Sequence, residues 1–376
     1  MSLDKKKNPA ADAPEYVRNL VPYVPGKPIE ELERELGVKN SIKIASNENP
    51  LGPSPKALVA IRKALRNLHR YPDGNGTYLK EKLAKKLGVS PDNIILGNGS
   101  NEVLELLTAT FMMPGDEAVM SEHAFVVYSL AVDSRGYTKR VAKPGENFGH
   151  NLEAMAELIN ERTRMVFIAN PNNPTGTYVT KAELENFLKK VPDRVIVAMD
   201  EAYFEFVEKK DYPDTLKLIK QGKRNLVTIR TFSKIYGLAG LRIGYGIADE
   251  EIVALMNRVR QPFNTNSLAQ VAAMAALDDK AHINRTKKNN RLGMKYLERE
   301  FNRLKIKYIP SVTNFILFKT PIDAGKFYHE MLLRGVILRP MGGYGLPEWM
   351  RVTIGTPLEN KRFIRTMEEV LKGFGE

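Results

Sequence analysis

Lys234 sits where a side chain could do covalent chemistry. It follows a hydroxyl pair, Thr231 and Ser233, at the end of the apolar run Leu226-Val227-Thr228-Ile229, and Arg242 comes eight residues later. The β-branched run predicts a buried strand, so a lysine just past its end is held at a fixed point. Partial desolvation and a neighbouring cation lower the pKa of such an amine and expose a nucleophile suited to Schiff-base chemistry. The two hydroxyls and Arg242 offer neutral donors and a permanently charged planar fork, the partners a phosphate dianion favours. With 57 Lys+Arg in the chain, this segment alone is equally compatible with an ordinary surface cation.

Three further segments predict strands that deliver polar groups at their ends. RVIVAMDEAY (Arg194 to Tyr203) delivers Asp200, Glu201 and Tyr203. Open α/β sheets bind ligands outside the carboxyl ends of their strands, which makes a strand-end carboxylate a site candidate. MVFIANPNNPTG (Met165 to Gly176) is a strand followed by a Pro- and Asn-rich turn carrying Asn173. NIILGNGSNEVLELL (Asn93 to Leu107) runs from a short strand through Gly97, Gly99, Ser100 and Asn101 into a helix with Val103, Leu104, Leu106 and Leu107 as its apolar face. A glycine-rich turn into a helix leaves free N–H groups and the positive end of the helix dipole facing an anion. Each of these signals is weak alone; their order along one chain is not.

In combination they resemble the fold-type-I, pyridoxal-phosphate-dependent aminotransferases, from about Tyr23 to the last helix. The strings PYVPGKP, SNENPLGPSP, RYPDGNG, NPNNPTG, DEAYFEF, TFSKIYGLAGLRIGY and RPMGGYGLPEWMRVTIGT are most similar to those of histidinol-phosphate aminotransferases. Aromatic-amino-acid aminotransferases share most of them, and amino-acid-phosphate decarboxylases share the fold. The resemblance implies a large α/β domain with a mostly parallel central sheet and a smaller α+β domain. It implies pyridoxal 5'-phosphate held by Lys234, with Asp200 on the pyridine nitrogen and Asn173 and Tyr203 on the phenolic oxygen. Gly99, Ser100, Asn101, Thr231, Ser233 and Arg242 would surround the phosphate. Phe125 matches a position where the family stacks an aromatic ring on the cofactor; an ordinary core aromatic is the alternative. Tyr71 would reach the cofactor phosphate of a neighbouring subunit, which implies a homodimer. Arg351 matches the family's carboxylate clamp, serving 2-oxoglutarate and glutamate. Arg339, with Tyr23 and Asn47 nearby, would meet the phosphate of histidinol phosphate, unless it serves a structural ion pair.

Composition sets the outer limits. At 376 residues the chain exceeds one ordinary domain, and the expected division is an arm over residues 1–45, a large domain over 46–262 and a small domain over 263–376. Residues 1 to about 15 read as mobile. Zero cysteines exclude disulfides, thiol catalysis and cysteine-ligated zinc. The five histidines lack metal-site spacing, so no metal is expected. A net charge of +13 raises nucleic acid as a partner, but the basic residues are scattered along helix-like stretches, which favours solvated helix faces. No run approaches membrane-spanning length, and the first residues lack the apolar core of a secretory leader. A cytoplasmic, small-molecule enzyme is the expectation.

Overall fold

Strands that read as unbroken apolar runs need cover on both faces, and the chain supplies it. The computed structural model describes residues 9–374. Its strands are β1 (Ile42–Lys43), β2 (Ile94–Gly97), β3 (Glu117–Ser121), β4 (Thr138–Ala142), β5 (Thr163–Ala169), β6 (Ile196–Asp200), β7 (Leu226–Thr231), β8 (Gly244–Ile247), β9 (Tyr308–Ile309), β10 (Phe315–Lys319), β11 (Val336–Ile337), β12 (Arg339–Pro340) and β13 (Trp349–Thr353). The large sheet has the order β2-β8-β7-β6-β5-β3-β4. β8 alone runs against its neighbours; the pairings among β4, β3, β5, β6 and β7 are parallel. Alternate residues fill opposite faces. Phe167, Ala198 and Val227 pack with Leu104 and Leu107, while Val166, Val197 and Met199 pack with Leu184 and Phe187.

Parallel pairing brings the predicted site segments to one edge. Ala169 is level with Asp200, and Asp200 with Ile229, so β5, β6 and β7 all end there. β2 runs in the same sense and opens into the helix Ser100–Phe111 at that edge. Because β8 runs the opposite way, the residues before it, Arg242 among them, return to the same edge. Gly244 is required at this crossing, since a Cβ there would collide with the backbone N of Ser100.

The smaller sheet, β12-β13-β10-β9, is antiparallel throughout. β1 pairs in parallel with β11 and so ties the N-terminal segment to this part of the chain. The long helix Lys280–Arg303 begins at Asp279, whose carboxylate accepts from the His282 N–H and from Ser54 Oγ at 2.6 Å. The preceding helix, Ser267–Leu277, packs on Pro55–Ala64, and its alanines join the core beside the large sheet. In the arm, the helix Ile29–Leu36 buries Leu32 against Leu332 and Ile337. The mobility expected of residues 1–15 lies, for residues 1–8, outside the described residues; Pro9–Asp12 and Glu15–Arg18 form short helical turns.

Candidate active site

A cavity of about 290 Å³ opens where the carboxyl edge of the large sheet meets the small sheet. It is lined by Tyr23, Asn47, Ser100, Asn101, Phe125, Asn173, Asp200, Tyr203, Thr231, Ser233, Lys234, Arg242, Arg339 and Arg351, every one a residue singled out in the sequence. Gly99 lies just behind the lining, where a Cβ would run into the Arg242 guanidinium. Tyr71 is elsewhere: it is 82% exposed and stacks on Phe263 with ring centroids 4.7 Å apart.

Lys234 occupies the turn after β7, with Nζ 3.4 Å from the Ser46 carbonyl oxygen and 5.5 Å from the Tyr203 ring centroid. Burial, reinforced by the Arg351 charge, lowers its pKa to about 8, so a neutral amine is accessible near physiological pH. Asp200 ends β6 at 4% exposure. Burial pushes its carboxyl up to about 6, against hydrogen bonds from Tyr128 and the Ala202 N–H that favour the carboxylate. The Tyr128 hydroxyl donates to Oδ2 at 3.0 Å, and the Ala202 N–H to Oδ1 at 3.1 Å. Tyr128 is itself fixed by stacking on Phe167, 5.0 Å away, and by the edge of Phe125, 5.8 Å away. Sequence reasoning passed over Tyr128; its only signal was a position three residues after Phe125 on an apolar helix.

Glu201, adjacent to Asp200, turns to the other side. It is fully buried and takes Arg230 Nε and Nη2 at 2.9 and 2.8 Å on Oε2, with the Thr215 hydroxyl on Oε1 at 2.5 Å. Strand alternation separates the two carboxylates, one into the cavity and one into a structural ion pair whose guanidinium lies over Phe204.

One end of the cavity is an anion cup. Thr231 Oγ1 donates to Ser233 Oγ at 2.9 Å, and the Ser233 N–H to Thr231 Oγ1 at 3.1 Å. The N-terminus of Ser100–Phe111 points its free N–H groups here. Arg242, in a left-handed backbone conformation at φ 56°, bonds to the Ala239 carbonyl and has no carboxylate partner among the described residues. The other end holds two arginines that are direct register partners on β12 and β13, Arg339 and Arg351. Like charges opposite one another on a sheet are destabilising, and a bound anion relieves them. Arg351 is 6% exposed, donates to the Ala45 carbonyl at 2.8 Å and to Asn173 Oδ1, and leaves Nε buried without a partner. Arg339 donates to the Val24 carbonyl at 2.9 Å and lies over the Tyr23 ring at 5.3 Å. Asn47 Nδ2 donates to the Tyr203 hydroxyl at 2.8 Å. Ser46, Glu48 and Tyr344 also line the cavity without having been singled out in the sequence as site residues.

Known proteins resemble this chain in sequence and in fold. The family model described as aminotransferase class I and II matches residues 39–367. The chain is 49% identical to a histidinol-phosphate aminotransferase of Moorella thermoacetica over 97% of this chain and 95% of that protein. It is 51% identical to histidinol-phosphate aminotransferase 1 of Nitrosococcus oceani over 95% and 96%. The histidinol-phosphate aminotransferase of Sinorhizobium meliloti, solved in complex with pyridoxal-5'-phosphate, superposes with a TM-score of 0.88 at 27% identity, covering 96% of this chain and 97% of that one. A Thermus thermophilus aspartate aminotransferase shares the fold, with a TM-score of 0.81 at 22% identity over 94% and 99%. With its mostly parallel sheet, strand-edge cavity and near-complete coverage by these relatives, the chain belongs to the aminotransferase class I and II family and has the fold-type-I architecture.

Proposed function

We propose that this chain is a pyridoxal-5'-phosphate-dependent histidinol-phosphate aminotransferase. In a ping-pong cycle serving histidine biosynthesis it exchanges the amino group of L-histidinol phosphate with 2-oxoglutarate, giving imidazole acetol phosphate and glutamate. The observation that carries the substrate is the cross-strand pair Arg339 and Arg351 at the cavity mouth, an anion site separate from the cup at Thr231, Ser233 and Arg242. A substrate with its own phosphate needs both. The near-50% identity to the histidinol-phosphate aminotransferases of two bacteria supports the same reading.

The cavity residues fit the cofactor. An unpaired Arg242, two linked hydroxyls and a helix N-terminus behind Gly99 make a cup for a phosphate dianion. Pyridoxal 5'-phosphate, when bound, supplies the electron sink that stabilises negative charge at the substrate Cα. Asp200, braced by Tyr128, would hold the proton on the ring nitrogen, Asn173 and Tyr203 would hydrogen-bond the phenolic oxygen, and Phe125 would offer a ring to stack on. Lys234 would hold the cofactor through Nζ and, as a neutral amine, would serve as the base for the Cα proton. Arg351 clamps the carboxylates of 2-oxoglutarate and glutamate, Arg339 and Tyr23 meet the phosphate of histidinol phosphate, and Asn47 holds Tyr203 in place.

The same reading makes the enzyme a cytoplasmic homodimer in which Tyr71 completes the neighbour's phosphate cup. Its exposure, its absence from the lining of its own cavity and the exposed Leu58, Val59, Leu65, Leu68 and Tyr78 nearby in sequence support an interface there. No helix among the described residues is long and apolar enough to cross a membrane. The division into arm, large and small domains at about 45 and 262 belongs to the same proposal; the packing of Ser267–Leu277 on Pro55–Ala64 favours starting the small domain nearer Lys280. The test of substrate is Arg339→Ala. Losing a guanidinium–phosphate pair should cut kcat/KM for histidinol phosphate by about a hundredfold and that for phenylalanine far less. Equal losses would make Arg339 structural, and a wild-type enzyme active on phenylalanine alone would make it an aromatic-amino-acid aminotransferase.

A further inference from the structure

The cavity sets four cationic side chains, Lys234, Arg242, Arg339 and Arg351, against two carboxylates, Asp200 and Glu48. Asp200 lies on the floor with both oxygens engaged. Glu48 stands at the mouth with its side chain 47% exposed; Oε1 takes Lys43 Nζ at 3.0 Å, and Oε2 has no protein partner among the described residues. Its direction is set by the residue before it. Asn47 is held at φ 56° by its N–H to Thr353 Oγ1 at 2.9 Å, its Nδ2 to the Tyr203 hydroxyl at 2.8 Å, and Asn314 Nδ2 to its carbonyl at 3.1 Å. A residue held at its backbone N–H, its carbonyl and its side chain fixes where the next side chain starts.

The Cα of histidinol phosphate carries an amine, a phosphate-bearing arm and an imidazole-bearing arm. The amine belongs at Lys234 and the phosphate at the arginine pair. The phosphate is repelled by Glu48, so the imidazole arm is left to face it. A neutral imidazole offers one N–H and an imidazolium two, and a carboxylate is the strongest acceptor available for either. We propose that Glu48 determines specificity for the imidazole end of the substrate by accepting a hydrogen bond from its ring N–H. This rests on the histidinol-phosphate reading above. It has a consequence for the second half-reaction: 2-oxoglutarate carries two carboxylates and a ketone, all acceptors, so it offers Glu48 no hydrogen to accept.

The two half-reactions therefore separate a recognition role from a structural one. In the pyridoxal-phosphate-loaded Glu48→Gln enzyme, kcat/KM for histidinol phosphate should fall by about ten- to a hundredfold, the loss of a charge-assisted hydrogen bond. The 2-oxoglutarate half-reaction, measured in single turnover on the pyridoxamine-phosphate-loaded enzyme, should be unchanged or faster. Lys43→Met, which removes the ion pair and keeps the carboxylate, should retain the wild-type preference for histidinol phosphate over phenylalanine. Equal losses in both half-reactions, no loss in either, or a Lys43→Met enzyme that behaves like Glu48→Gln would each overturn the assignment. A wild-type enzyme inert toward histidinol phosphate would instead defeat the functional reading itself.

Discussion

At the scale of single residues, two opposed pKa displacements define the site. Burial lowers Lys234 to about 8 and raises Asp200 to about 6. The neutral lysine needed to capture the cofactor grows as pH rises through about 8, and the Asp200 carboxylate needed at the ring nitrogen is lost as pH falls through about 6. Capture of pyridoxal phosphate by the cofactor-free protein should therefore accelerate with pH across the alkaline step, and Lys234→Ala should abolish turnover with the fold intact. Tyr128 tunes the acid step, because its hydrogen bond favours the Asp200 carboxylate. In Tyr128→Phe that step should move upward by about one pH unit; an acid limb at the wild-type position would remove Tyr128 from this role. Ser100, Asn101, Asn173, Asp200, Tyr203, Thr231, Ser233 and Lys234 could be read from the sequence because each ends or closely follows a recognisable apolar strand, whereas Tyr23, Asn47, Phe125, Arg339 and Arg351 were reached only through the family resemblance. Tyr128 and Ser46 could not be read from the sequence, because their importance comes from partners far along the chain: Tyr128 meets Asp200 and Ser46 meets Lys234.

At the scale of elements, the parallel strands do the positioning. β5, β6 and β7 were each legible as apolar runs with polar ends, and each forms where its run predicts. What the runs could not show is the face each residue takes. Asp200 and Glu201 read as one acidic pair, and strand alternation sends them to opposite sides. Removing Glu201 strands the buried Arg230 without its counter-charge. Glu201→Ala should cost about 3–5 kcal/mol of stability, read as a lowered denaturant midpoint, while Glu201→Gln should cost less through retained hydrogen bonds. A midpoint unchanged in Glu201→Ala would mean that Arg230 finds water instead. The pairing of Arg339 with Arg351 was likewise hidden, because register between β12 and β13 depends on a loop whose conformation the sequence does not display.

At the scale of the whole molecule, the sites and the surface make one argument. The arm, the large sheet and the small sheet each contribute to one cavity, through Tyr23, Asp200 and Arg351 respectively. Tyr71 has no place in the cavity of its own chain, and the proposed homodimer gives it one in the neighbour's. Mixing Tyr71→Ala subunits with Lys234→Ala subunits should then regenerate activity that neither variant has alone, since each hybrid dimer holds one complete site. Failure to regain activity in verified hybrids would confine Tyr71 to its own subunit. The central claim, a pyridoxal-phosphate enzyme acting on histidinol phosphate, is tested most directly by one spectrum. The protein loaded with pyridoxal phosphate is mixed with L-histidinol phosphate alone, and its visible absorbance is followed. A band that bleaches and returns on adding 2-oxoglutarate is the predicted result. A band that ignores histidinol phosphate, or no band at all, would contradict it.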